Sequence, residues 1–382
     1  MSRQIVPSKI PSKSPYHEPR ELTADERQVF RETSRSSRAA KMAAARGEGP
    51  PPIHSINTPK LKPADLMPMR SSTGIRALSL FSGGGGLDLG FWRAGYEHVA
   101  SYEILEPAAA TLVKAQPEWT VYGGPDGDVR SVDWSKYRGK VDVLHGGPPC
   151  QPFSMAGRQR GALDDRNLWP QFVEAVSKVK PLAFVGENVP ALATAKFAAF
   201  VGDAIITPLQ HEYTVQQIVL HAADFGVPQI RRRVFFIGFR SNREAQRWSA
   251  PEPTSKRTMG MREALGLPNI GHDGLSPTIR STLTGPRHTT SILNSVSARE
   301  RFASLQIWPN GVAPTREAAH SFVAPNGHFR LSVPDVALLQ GFPDDWPWVG
   351  ATYMTLGQIG NAVPPPLAYA VAVTVAKALS GK

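Results

Sequence analysis

From Ile75 onward the chain repeats one pattern, a short apolar run followed by a stretch with helical spacing. Runs at 76–81, 98–102, 141–144, 182–185, 213–220 and 234–239 read as strands. Residues 86–94, 107–115 and 167–179 read as helices, the first with Leu87, Phe91 and Ala94 on one face. Strands separated by helices need crossover connections, and crossovers of one hand build a mostly parallel, doubly wound α/β sheet. Ligands of such sheets bind beyond the carboxyl ends of the strands. Chemistry is therefore sought at those ends.

The pattern fails at both flanks. Residues 241–329 are rich in Pro, Gly, Ser, Thr and Arg, with only short apolar runs, and read as a small inserted domain. Regular structure returns over 330–382, with a helical stretch at 331–340 and an alanine- and valine-rich helix after Pro366. The catalytic domain is thus expected in two parts, 73–240 and 330–382. Residues 1–72 read as a basic, mostly flexible extension, interrupted by one helix that Thr23 and Glu26 would open as a capping box. That helix is either a solvated arm or an arm laid on nucleic-acid phosphates.

Charge supports a polyanionic partner. The formal net charge is +11, and residues 1–72, with thirteen Lys or Arg against seven Asp or Glu, carry more than half of it. No apolar run approaches the roughly 18 residues that cross a bilayer, and no secretory leader is evident, so a soluble cytoplasmic protein is expected. The hydrophobic fraction of 41% suffices for a sizeable core.

The first strand runs into Phe81-Ser82-Gly83-Gly84-Gly85-Gly86, where glycines let a ligand approach the backbone at a helix start. The spacing is not the dinucleotide fingerprint, because Asp88 stands where its third glycine would be. Glu103 ends the second strand and can accept from ribose hydroxyls, while Asp128 can meet an adenine amino group. Together they describe an adenosine-containing cofactor without a pyrophosphate.

The single cysteine, Cys150, follows the third apolar run in Gly146-Gly147-Pro148-Pro149-Cys150-Gln151. One Cys cannot form an intrachain disulfide, and no His-rich cluster offers a metal its ligands, so no metal is expected. What remains is a buried structural thiol or a nucleophile.

Six segments in order resemble the motif series of the DNA (cytosine-5)-methyltransferases of bacterial restriction-modification systems. They are Phe81-Ser82-Gly83-Gly84-Gly85-Gly86, Pro148-Pro149-Cys150-Gln151, Glu187-Asn188-Val189, Gln229-Ile230-Arg231-Arg232-Arg233, Leu339-Gln340-Gly341-Phe342-Pro343 and Gly360-Asn361-Ala362-Val363-Pro364. The resemblance implies an S-adenosylmethionine-dependent, Rossmann-like methyltransferase fold, with 241–329 as the target-recognition domain. It assigns Cys150 as nucleophile toward cytosine C6, Glu187 as the proton donor at N3, Arg233 to the neighbourhood of O2 and the thiol, and Arg231 to backbone phosphates. S-adenosylmethionine would lie on Phe81, Ser82, Gly83, Gly84, Gly85, Glu103, Asp128, Pro149 and Asn361. DNA contacts fall to Gln151, Ser154, Arg158 and Arg160 in a closing loop, and to Gln229, Arg280 and Arg287.

Two departures stand out. Pro334-Asp335 replaces the family's more usual Arg-Glu, which puts a helix start in question, and Ile104-Leu105 replace an aromatic and an acid beside the adenine. The partner implied is double-stranded DNA, approached by a monomer after base flipping. A cognate restriction endonuclease would act on the same site without a stable complex. The alternatives are a tRNA cytosine-5 methyltransferase, a noncatalytic DNA-binding regulator on the same fold, and a cysteine hydrolase using Cys150 and His145.

Overall fold

A computed structural model describes residues 23–46, 48, 55–149, 167–283, 289–293, 295–321, 324 and 327–381. Its centre is a seven-stranded sheet of β1 (Arg76–Leu80), β2 (Glu97–Glu103), β3 (Val121–Gly123), β4 (Val143–Gly146), β5 (Ala183–Asn188), β6 (Thr214–His221) and β7 (Arg232–Phe239). The order is β3-β2-β1-β4-β5-β7-β6. Strands β1 to β5 pair in parallel, and β7 lies antiparallel between β5 and β6. The three-residue edge strand β3 is too short to announce itself by periodicity.

Period-two alternation makes the layers. Ala77, Val143, Val185, Phe235 and Ile237 face one buried cluster, and Leu78, Leu144, Phe184 and Phe236 face another. The first face is covered by helices Gly86–Arg93 and Pro365–Ser380, the second by helix Trp169–Val179. In the C-terminal helix Leu367, Val371 and Val375 are fully buried, each contributing about 1.5–3 kcal/mol by leaving water. Residues Thr352–Ser380 together are long and apolar enough to cross a membrane by composition, contrary to the sequence expectation that no run is; they are mostly buried inside the protein, as core helices are.

A third cluster joins parts far apart in sequence. Met261 and Leu265 of the insert pack with Leu331, Val336 and Phe342 of the return segment and with Leu61 and Met67. A small parallel pair joins β8 (Ile307–Ala313) of the insert to β9 (Phe329–Ser332), where the return segment begins. Residues 55–72, read from sequence as part of a flexible extension, form a strap across this region. Asn57 donates to the Leu265 carbonyl and to Asp335, both at 3.0 Å, and the Lys60 and Leu61 amides donate to the Ala264 carbonyl. Met67 is fully buried, and Tyr369 donates to the Pro68 carbonyl. A segment without periodic apolar residues is ordered here by a groove that other segments supply. The Pro334-Asp335 departure does not disturb the helix Val333–Leu339: Ser332 and Asp335 form a full capping box, and Pro334 sits in the first turn, where no amide is needed.

Candidate active site

The strand order reverses between β1 and β4, and a solvent-connected cavity opens beyond their carboxyl ends. At one end the first strand turns through Phe81, whose φ of +56° places a bulky residue in the left-handed region. Phe81, Ser82 and Gly83 line the cavity. The Glu103 carboxylate accepts from the Gly83 and Leu105 amides, both at 2.7 Å, and burial pushes its pKa up to about 7 against the pull of these two bonds. Leu105 and Ala108 add an apolar wall. A buried acceptor beside apolar side chains and a turned backbone fits a ribose and its base.

Gly84 and Gly85 do not line the cavity. A Cβ on Gly84 would come within 2.8 Å of the Trp348 ring, and one on Gly85 within 2.6 Å of Leu112. Gly85 also has φ +86° as the N-cap of the helix that follows. A side chain at either position would collide with its neighbours. Asp128 is absent from the lining too, its carboxylate being held by the Arg130 guanidinium and amide.

At the other end Glu187 is buried on β5, with Arg233 Nε of β7 2.8 Å from its Oε1. The antiparallel pairing brings them close by setting Glu187 opposite Phe235 and Asn188 opposite Val234, one residue after Arg233. Burial raises the Glu187 pKa, opposed by Arg233 and then Arg231. Gly147 lets Oε2 approach, since a Cβ there would lie 2.9 Å from it. Asn188 donates to the Pro148 carbonyl at 3.0 Å, tying the strand that carries Glu187 to the loop leading to residue 150. Gly147, Pro148, Pro149 and Asn361 all line the cavity. Cys150, Gln151, Ser154, Arg158, Arg160 and Arg287 lie outside the described residues.

Two residues expected on DNA are interior instead. Arg231 is 1% exposed, and its guanidinium donates to the carbonyls of Ile279, Gly360 and Ala362. Gln229 is fully buried, donating to the Leu339 carbonyl and to Gln340 and accepting from the Ile279 amide. Both pin the insert segment 276–283 to the return segment, a use of polar side chains that sequence cannot separate from phosphate binding. Arg280 is half-buried, and burial lowers its pKa.

Sequence reasoning missed Leu283. It lies in a stretch read for DNA contact, yet it is 1% exposed, clusters with Leu105 and Ala108, and forms part of the cavity wall. Ser281 donating to the Gly357 carbonyl and Thr282 to that of Tyr353 hold it there. No local pattern marks it, because its partners are about 180 residues away. His145 lies outside the cavity lining, buried and stacked on Phe91 at 4.2 Å, and burial lowers its pKa to about 4. That position does not suit the imidazole of a thiol hydrolase.

A family model described as C-5 cytosine-specific DNA methylase matches residues 75–377. The chain is 35% identical over 315 residues to the Type II methyltransferase M.NgoMIV of Neisseria gonorrhoeae, covering 79% of this chain and 97% of that protein. It is 34% identical to the Type II methyltransferase M1.HphI of Haemophilus parahaemolyticus, over 78% of this chain and 86% of that one. Among solved structures, a prophage-encoded E. coli protein assigned as a DNA modification methyltransferase superposes with a TM-score of 0.56 at 25% identity, covering 80% of this chain and 100% of that chain.

Proposed function

Because the chain belongs to the C-5 cytosine-specific DNA methylase family, we propose that it methylates a flipped-out cytosine in double-stranded DNA from S-adenosylmethionine, through a covalent adduct between Cys150 and C6. One observation carries this reading: the Glu187–Arg233 pair and Glu103 line the same cavity. A base held at Glu187 and a cofactor held at Glu103 would share that space.

Cytosine C5 is a weak nucleophile. Attack of the Cys150 thiolate at C6 forms an S–C6 bond and moves the C5–C6 electron pair onto the ring, which is covalent catalysis. Glu187, whose pKa burial raises against the pull of Arg233, would donate a proton at N3, and C5 becomes an enamine carbon. Arg233 would hold O2 and keep the developing charge compensated. S-adenosylmethionine, when bound, supplies an electrophilic methyl group on a positively charged sulfur. Loss of the C5 proton to water then expels the Cys150 thiolate, and N3 returns its proton to Glu187.

Phe81, Ser82, Gly83, Glu103, Pro149 and Asn361 would hold the cofactor, joined by Leu105 and Leu283. Arg280 and Arg287 are the candidates for reading guanine edges, and Gln151, Ser154, Arg158 and Arg160 for closing over the flipped base. The relatives' designation as Type II methyltransferases supports a cytoplasmic role in shielding host DNA from a restriction enzyme of the same specificity.

The test is methyl transfer from labelled S-adenosylmethionine to mixed genomic DNA and to total RNA, with Cys150→Ala alongside and single-base mapping of the product. Wild type is expected to label C5 within one short DNA motif and the variant to be silent. Label confined to RNA would overturn the substrate, and cofactor binding without label in either would favour a noncatalytic regulator.

A further inference from the structure

The family match begins at residue 75, leaving the helix Ala24–Ala45 and the strap at 55–72 to this chain's own use. At about 100° per residue, Arg31, Arg35 and Arg38 fall about 40°, 80° and 20° around the helix from Arg27. Four arginines therefore share an arc of about 80° and extend about 16 Å along the axis. All four are exposed. The acids Asp25 and Glu32, also exposed, fall about 160° and 140° from Arg27, off that arc, and Glu32 accepts from Gln28. The segregation makes one face cationic along its length.

The strap fixes where this face can act. Asn57, Lys60 and Leu61 are bound to Ala264 and Leu265 of the insert, and Asn57 also to Asp335 of the return segment. Eleven residue steps separate Arg46 from Asn57, the first strap residue bound to the insert, so the covalent chain cannot carry the helix end more than about 40 Å from it. That confines a cationic rod to the neighbourhood of the insert. A rod of this length matches a run of duplex backbone, which carries a phosphate charge about every 1.7 Å of axis.

We propose that the helix Ala24–Ala45 is a second, sequence-independent DNA contact, its arginine face binding backbone phosphates beside the site that the insert reads. The identity of the polyanion rests on the DNA-methylating reading; the cationic face does not. Phosphate contacts fix position without carrying sequence information, so the helix would raise occupancy and leave the methylated motif unchanged.

The experiment measures binding of the full chain to a fluorescein-labelled 30-base-pair duplex of arbitrary sequence between 50 and 200 mM salt. Wild type is compared with a variant carrying Arg27→Gln, Arg31→Gln, Arg35→Gln and Arg38→Gln, and with one carrying Lys at the same four positions. The Gln variant is expected to lose up to about 3.6 from the slope of log affinity against log salt, and about tenfold or more in affinity at 100 mM. The Lys variant is expected to keep the wild-type slope, and all three to methylate the same motif at saturating DNA. Equal slopes for wild type and the Gln variant would overturn the proposal, as would loss in the Gln and Lys variants alike, or a Gln variant deficient only toward vesicles of anionic lipid. If wild type binds with the steep slope yet methylates nothing, the functional reading fails and the contact stands.

Discussion

At the scale of the residue, burial decides what each polar side chain does. Glu187 and Arg231 come from motifs of the same family series, and both are buried polar groups. Arg231 meets three carbonyls and becomes a fastener, whereas Glu187 meets one guanidinium at the cavity and keeps an oxygen near Gly147. The raised pKa of Glu187 gives a signed expectation. On the proposed mechanism the acid form donates at N3, so the turnover rate should fall as pH rises through the raised value. Glu187→Gln cannot titrate: that alkaline limb should vanish, and the remaining rate should drop by about 10² to 10⁴. A pH series of single-turnover rates, with melting temperatures to verify folding, checks both. An unchanged alkaline limb in the variant would remove Glu187 as its source. The place of Glu187 at a strand end was legible in sequence, but the fate of Arg231 was not, because carbonyl partners around residues 279 and 360 leave no local trace.

Among elements, the informative case is the segment at 276–283. Its Arg280 was expected on DNA, yet Ser281 and Thr282 beside it bond to carbonyls of the helix Thr352–Asn361 and seat Leu283 in the cavity wall. Leu283→Ala removes three carbons from that wall. At about 0.8 kcal/mol per buried methylene the loss of S-adenosylhomocysteine affinity should be about tenfold or more. Calorimetric titration reads this without turnover. Equal affinity for wild type and variant would show that Leu283 packs beside the site without touching the ligand. The six strands expected from apolar runs all have counterparts in the sheet, since each presents alternating residues to two covered faces. The edge strand β3 did not, because three residues carry no period.

For the whole molecule, the third hydrophobic cluster makes strap, insert and return segment one packed unit. Truncation should reveal the boundary. Removing residues 1–54 leaves every described member of that cluster in place and should leave the melting temperature almost unchanged. Removing 1–72 strips Leu61 and Met67, each worth about 1.5–3 kcal/mol of burial, and should lower it by several degrees. Thermal unfolding of the two truncations, followed by circular dichroism, measures the difference. Equal melting temperatures would mean that the strap rides on the surface of a core complete without it.

What the sequence determined alone is whatever repeats locally or sits at a strand end. The alternation of strands and helices, the glycine turn after the first strand and the acids Glu103 and Glu187 are set by near neighbours and by the polarity of a parallel sheet. What only the tertiary structure decided is which side of a surface each isolated polar or apolar residue faces. Asn57, Gln229, Arg231 and Leu283 take their roles from partners many residues distant. Burial and pairing there are properties of the folded contact, and no residue carries them by itself.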